Sequence, residues 1–74
     1  YCFIENDQTV GIPSLPMDGA NFNIPGPAVA DWKLEDILPG LTTHAATWIE
    51  EAAKNDKPFF LYFSLTSPHY PVVP

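Results

Sequence analysis

Thr66-Ser67-Pro68-His69-Tyr70-Pro71 is the stretch whose residue types best suit chemistry. An imidazole is the side chain most easily tuned to give or take a proton near neutral pH. Pro68 and Pro71 restrict the backbone on either side of His69, and a stiffly held imidazole is what a site requires. The other candidates are weaker. Cys2, His44 and His69 lie far apart and fit no zinc spacing, so no metal ligand set is read. Cys2 has Tyr1, Phe3 and Ile4 around it, apolar neighbours that favour burial over reactivity. His44 falls in the first turn of an expected helix, where the dipole favours anions, and reads as a surface or packing residue. Ser64, Thr66 and Ser67 lack the G-x-S-x-G setting of an activated serine. Glu5 and Asp7 read as turn residues, Glu35 and Asp36 as the solvated face of a short helix.

The elements that must position His69 lie in the second half of the chain. Thr42 or Thr43 can N-cap a helix. Ala45, Trp48, Ile49, Ala52 and Ala53 recur at helical spacing and make one apolar stripe, with Glu50 and Glu51 on the other side. Asn55-Asp56 and then Pro58 stop it. These signals predict a helix over 43–54. Phe59-Phe60-Leu61-Tyr62-Phe63-Ser64-Leu65 does not alternate, so it predicts a strand over 59–65 buried on both faces, as in a sheet covered by helices. Helix followed by strand fits an α/β fold, in which ligands gather at the carboxyl ends of strands. His69 stands a few residues past such an end. Lys57 would lie at the other end of the strand, roughly 25 Å away, and could not share a substrate with it.

Residues 1–41 are unlike this. They hold most of the Pro and Gly, which interrupt every element before it grows long. Tyr1 to Ile4 is a candidate short strand, Glu5-Asn6-Asp7 a turn, and Thr9-Val10 the returning strand. Trp32 to Leu38 has room for a helical turn or two, ended by Pro39. Phe3, Ile4, Phe22, Ile24, Trp32, Leu34, Ile37 and Leu38 suggest an ordered loop pinned to a larger body. The 74 residues therefore read as one segment, loop-rich over 1–41 and helix-strand-loop over 42–74.

Charge and size limit the function. Three basic side chains stand against nine acidic ones, a net charge of −6. That leaves no basic patch for nucleic acid or for an anionic membrane surface. No apolar run approaches the ~20 residues of a membrane span. One cysteine allows no internal disulfide. A strand buried on both faces needs neighbours on both edges and helices on both faces, and one helix with scraps of strand cannot supply them. The expectation is an excerpt of a larger domain; the start at Tyr1 rather than Met fits either a processed product or an excerpt. The rival is a module that shares its core between chains.

Lys57-Pro58-Phe59-Phe60-Leu61-Tyr62, continued to Pro68-His69-Tyr70-Pro71, resembles the K-P-F-F-L-Y-x-x-x-x-x-P-H-x-P stretch of the arylsulfatase-type sulfatases. The helix before it, with Ala45, Trp48, Ile49 and Glu50 in an A-x-x-(W/F)-I-E pattern, is similar to the helix preceding that strand in the family. Tyr1 to Asp7 and Ile24-Pro25-Gly26-Pro27 look like its variable connecting region. The resemblance implies a fragment of an alkaline-phosphatase-like α/β sandwich in a sulfuric ester hydrolase. It implies a formylglycine nucleophile made from a Cys or Ser, a calcium ion held by Asp and Asn, and a sulfate ester, small-molecule or glycan, as substrate. Many bacterial members of this family are periplasmic or secreted and several animal ones lysosomal, so a periplasmic or secreted parent is what the resemblance implies, though no residue here shows it.

By this resemblance His69 maps onto the family's Pro-His-x-Pro histidine, one of the basic residues that hold the sulfate oxygens or assist the leaving group. Tyr70 stands at a variable position where it can line the pocket. The departures are equally definite. Cys2 is followed by Phe3 and Ile4, not by the C/S-x-P-x-R pattern of the formylglycine site. The Asp-Asp and Asp-Asn metal pairs are missing, and the sulfate-binding Lys of the family would fall beyond Pro74. The chain alone is thus expected to be inactive, its partner being the remainder of the sulfatase fold. Two other readings stay open: a structural or binding fragment, and a segment of a related phosphodiesterase or phosphonate hydrolase.

Overall fold

Asn6 and Asp7 reverse the chain between β1 (Phe3–Glu5) and β2 (Gln8–Val10), which pair antiparallel with Glu5 opposite Gln8 and Phe3 opposite Val10. Asn6 takes φ 57°, a left-handed conformation that an Asn side chain tolerates better than most. The expected hairpin is therefore present, with β1 starting two residues later than Tyr1. The structure, a computed structural model, describes residues 1–19 and 24–70. Phe22, one of the expected apolar anchors, lies outside the described residues, as does Pro71.

A second hairpin lies inside the stretch read as irregular loop. β3 (Leu15–Met17) pairs antiparallel with β4 (Gly26–Ala28), and Pro16 stands opposite Pro27. Two facing prolines suit a non-hydrogen-bonded position, where neither missing N–H would have reached the partner strand. The outer edge of β4 takes up Tyr1: its backbone nitrogen donates to Pro27 O, and Val29 N–H donates to Tyr1 O at 2.9 Å. These bonds bracket Ala28, the only buried residue among those described, 4% exposed. Gly11, at φ 81°, carries the chain away from β2 past Val29, whose Cγ1 would lie 3.2 Å from an added Cβ.

The described residues thus form an α/β mixture of two separate two-stranded antiparallel sheets and one helix. After a turn at Ala30-Asp31, a 3-10 turn (Leu34–Asp36) runs directly into α1 (Ile37–Ala53). This corrects the expected helix of 43–54 by six residues at its start. Pro39 does not end a helical turn; it is the third residue of α1. The first N–H groups of a helix have no internal acceptor, so a proline there removes nothing. Neither Thr42 nor Thr43 is the N-cap. That position is Asp36, which makes no side-chain capping bond. At the other end Lys54 N–H reaches Glu51 O and Asn55 N–H reaches Ala52 O, both at 3.2 Å, a tightened last turn of the 3-10 kind. Among the described residues no helix is long and apolar enough to cross a membrane.

The strand expected over 59–65 is not formed, and its residues are not buried. Phe59 through Leu65 belong to no regular element and all are exposed, Phe60 at 86% and Tyr62 at 80%. A strand exists only as one side of a ladder. Among the described residues each ladder joins the two strands of one hairpin, with Tyr1 added along β4, and neither takes up this segment. The helix stripe is only partly covered: Ala45 and Ala52 are half-buried, Trp48 and Ile49 are exposed, and no residue of α1 is buried. The whole has a radius of gyration of 15.0 Å, against about 11 Å for a compact domain of this length.

Candidate functional site

His69 and Tyr70 follow the irregular segment 58–67, past a cis peptide bond between Ser67 and Pro68. Both side chains are exposed. With no strand formed, no strand end supports them, so that the position expected for His69 at a sheet's carboxyl edge is absent here. What holds the imidazole is local. His69 Nδ1 lies 2.5 Å from the backbone carbonyl oxygen of Tyr70, a hydrogen-bonded ring whose orientation is set by the next residue. Pro68 narrows the conformations available to the backbone on one side of it.

The remaining candidates are dispersed. Cys2 is half-buried with a free thiol. His44 is exposed. Since α1 begins at Ile37, His44 is its eighth residue, not part of its first turn, and the helix-dipole argument does not reach it. Asp7 lies in the turn, as expected, whereas Glu5, expected there too, is the last residue of β1; Glu35 and Asp36 belong to the 3-10 turn and are exposed. Among the described residues no three of His, Cys, Asp and Glu gather where they could hold a metal ion. The calcium that the family resemblance implies has no ligand set within them.

Two features were not legible as spacing. The first is an aromatic cluster that joins the ends of residues 1–41: Phe3 meets Trp32 edge-on with ring centroids 5.3 Å apart, and Tyr1 lies 6.4 Å from the same indole. Tyr1 Oη donates to Ile24 O, while the buried Trp32 Nε1 has no hydrogen-bond acceptor. The second is a groove of about 770 Å³ at the carboxyl end of α1, walled by Trp48, Lys54, Asp56, Lys57 and Phe59. Trp48 and Phe59 meet there edge to face at 5.2 Å. Lys54 is already engaged by Glu51 at 2.8 Å, and His69 is not among the residues lining this groove. Its charges nearly balance, and its lining gives no preference for one ligand chemistry.

Comparison of the chain with protein-family models, with curated proteins and with solved structures finds no match.

Proposed function

We propose that this chain is a segment of a sulfuric ester hydrolase of the arylsulfatase type, to which it contributes His69 as a substrate-pocket residue and Tyr70 as part of the pocket wall. The observation that carries the reading is the Lys57 to Pro71 pattern with its Pro-His-x-Pro ending, together with an imidazole that is solvent-accessible and held by the backbone carbonyl of Tyr70. In a sulfate ester the S–O bond to the alcohol breaks and the departing oxygen gains negative charge. An imidazolium beside it can donate a hydrogen bond or transfer its proton, so that the product leaves as the neutral alcohol. The formylglycine and the calcium ion that the resemblance implies would belong to parts of the parent outside residues 1–74, as would the alkaline-phosphatase-like sheet into which 59–65 would insert.

The exposed surface supports a segment that is completed elsewhere. The accessible area is 6315 Å², whereas a folded monomer of 8.2 kDa exposes roughly 4,500 Å². The surplus is comparable to the whole area buried in a standard protein interface, and the apolar run 59–65 contributes to it. The same surplus keeps a second reading in view, a binding or structural fragment that gains its core from another molecule. A C/S-x-P-x-R motif encoded upstream in the same reading frame is expected. Its absence would remove the sulfatase reading. In the parent enzyme, His69→Ala is expected to lower kcat on an aryl sulfate by on the order of 10²-fold, with a change in stability alone favouring the second reading.

A further inference from the structure

We infer that the backbone carbonyl of Tyr70 holds His69 as its Nδ1–H form, making Nε2 the ring nitrogen through which this histidine meets a ligand and exchanges protons. The contact itself requires this assignment. A carbonyl oxygen has lone pairs and no hydrogen, so the 2.5 Å approach of Nδ1 to Tyr70 O is attractive only when Nδ1 carries the proton. A neutral imidazole has one N–H. With that hydrogen on Nδ1, the free lone pair belongs to Nε2. Protonation of the ring then adds a hydrogen at Nε2 and leaves Nδ1–H in place, so both charge states keep the same bond to Tyr70 O. Every proton given or taken passes through Nε2, and the ring need not turn over between states.

The acceptor belongs to the backbone of the adjacent residue. It is therefore present whatever side chain occupies position 70, and it travels with the segment when the segment is covered by other structure. This is a positioning role for the main chain of Tyr70, separate from any contact its phenol ring makes. The inference deepens the proposed function and, in its catalytic consequence, rests on it: the proton delivered to the departing oxygen of a sulfate ester is the one on Nε2. The assignment of the tautomer does not depend on that reading, because it follows from the contact alone.

Long-range ¹H–¹⁵N correlation spectra of the 74-residue chain, with ¹⁵N in its imidazole rings, test the assignment. They are recorded at a pH above the titration midpoint seen in the same spectra. His44→Ala leaves one set of imidazole signals and so identifies those of His69. The expected pattern is a pyrrole-like Nδ1 and a pyridine-like Nε2 for His69, unchanged in Tyr70→Phe and Tyr70→Ala because the carbonyl remains. A pyridine-like Nδ1, or the averaged shifts of an unrestrained imidazole, would overturn the inference. Loss of the pattern in Tyr70→Phe would overturn the backbone's role by transferring it to the phenol. Failure of the sulfatase reading has a different signature: the expected tautomer is seen, yet kcat of the parent is unaltered by His69→Ala.

Discussion

Gly40 faces the ring of Phe3 so closely that a Cβ added to it would lie 3.0 Å from Phe3 Cζ. Glycine inside a helix is destabilising by roughly 0.5–1 kcal/mol relative to alanine, so its presence in α1 needs a local reason, and the aromatic cluster supplies one. Phe3 can approach the helix and still stack edge-on against Trp32 only where the helix surface is flat. Gly40→Ala sets a propensity gain against a tight contact and is expected to be nearly neutral. Gly40→Leu has no such balance and is expected to cost about 1–3 kcal/mol, as overpacking does, with loss of the near-UV circular dichroism of the cluster. An unchanged near-UV spectrum in Gly40→Leu would mean that Phe3 does not pack there. Asn6 is a second single-residue constraint. At φ 57° a β-branched residue is strained by roughly 1–2 kcal/mol, so Asn6→Val should weaken the first hairpin while Asn6→Gly should not. Comparison of amide exchange at Phe3 to Val10 in the two variants distinguishes them.

At the scale of the element, α1 tests how helix signals are read. A threonine just before an apolar stripe looks like a cap, and a proline looks like a stop, yet in this chain Pro39 opens the helix and Thr42 and Thr43 lie inside it. Thr43→Ala is therefore expected to change stability by less than ~0.5 kcal/mol, whereas loss of a true cap would cost about 1 kcal/mol; thermal melts followed at 222 nm separate the two. The hairpin at Asn6-Asp7 and the body of α1 were legible because each depends on neighbours within a few residues: a turn former between short apolar runs, and a stripe at helical spacing. The pairing of β3 with β4, the seating of Tyr1 beside Ala28 and the clasp of Phe3 on Gly40 were not legible, because they depend on residues far apart in sequence. The segment 59–65 failed for a third reason. Its composition describes the surroundings it is suited to, a sheet covered on both faces, and those surroundings are not supplied by these residues. His69 was legible as a residue type between prolines, but its bond to the Tyr70 carbonyl was not, since spacing carries no information on ring orientation.

For the molecule as a whole, the decisive quantity is apolar surface without cover. Fixing each residue's backbone costs about 1–2 kcal/mol, and a chain whose described residues bury only Ala28 recovers little of that through its own core. Phe60 and Tyr62 make the consequence measurable, because both are almost fully exposed and so contribute little to the stability of the isolated chain. Phe60→Asp with Tyr62→Asp is expected to leave the melting behaviour of the 74-residue chain unchanged and to reduce its binding of a hydrophobic dye. In the proposed parent the same positions sit in a strand covered on both faces, where loss of a buried aromatic costs about 3–5 kcal/mol for each residue and a buried carboxylate adds to that. The double substitution should then abolish folding of the parent while sparing the fragment. Equal tolerance in both would mean that this strand stays exposed in the longer protein as well, and the argument for a shared core, on which the placement of His69 in a pocket rests, would go with it.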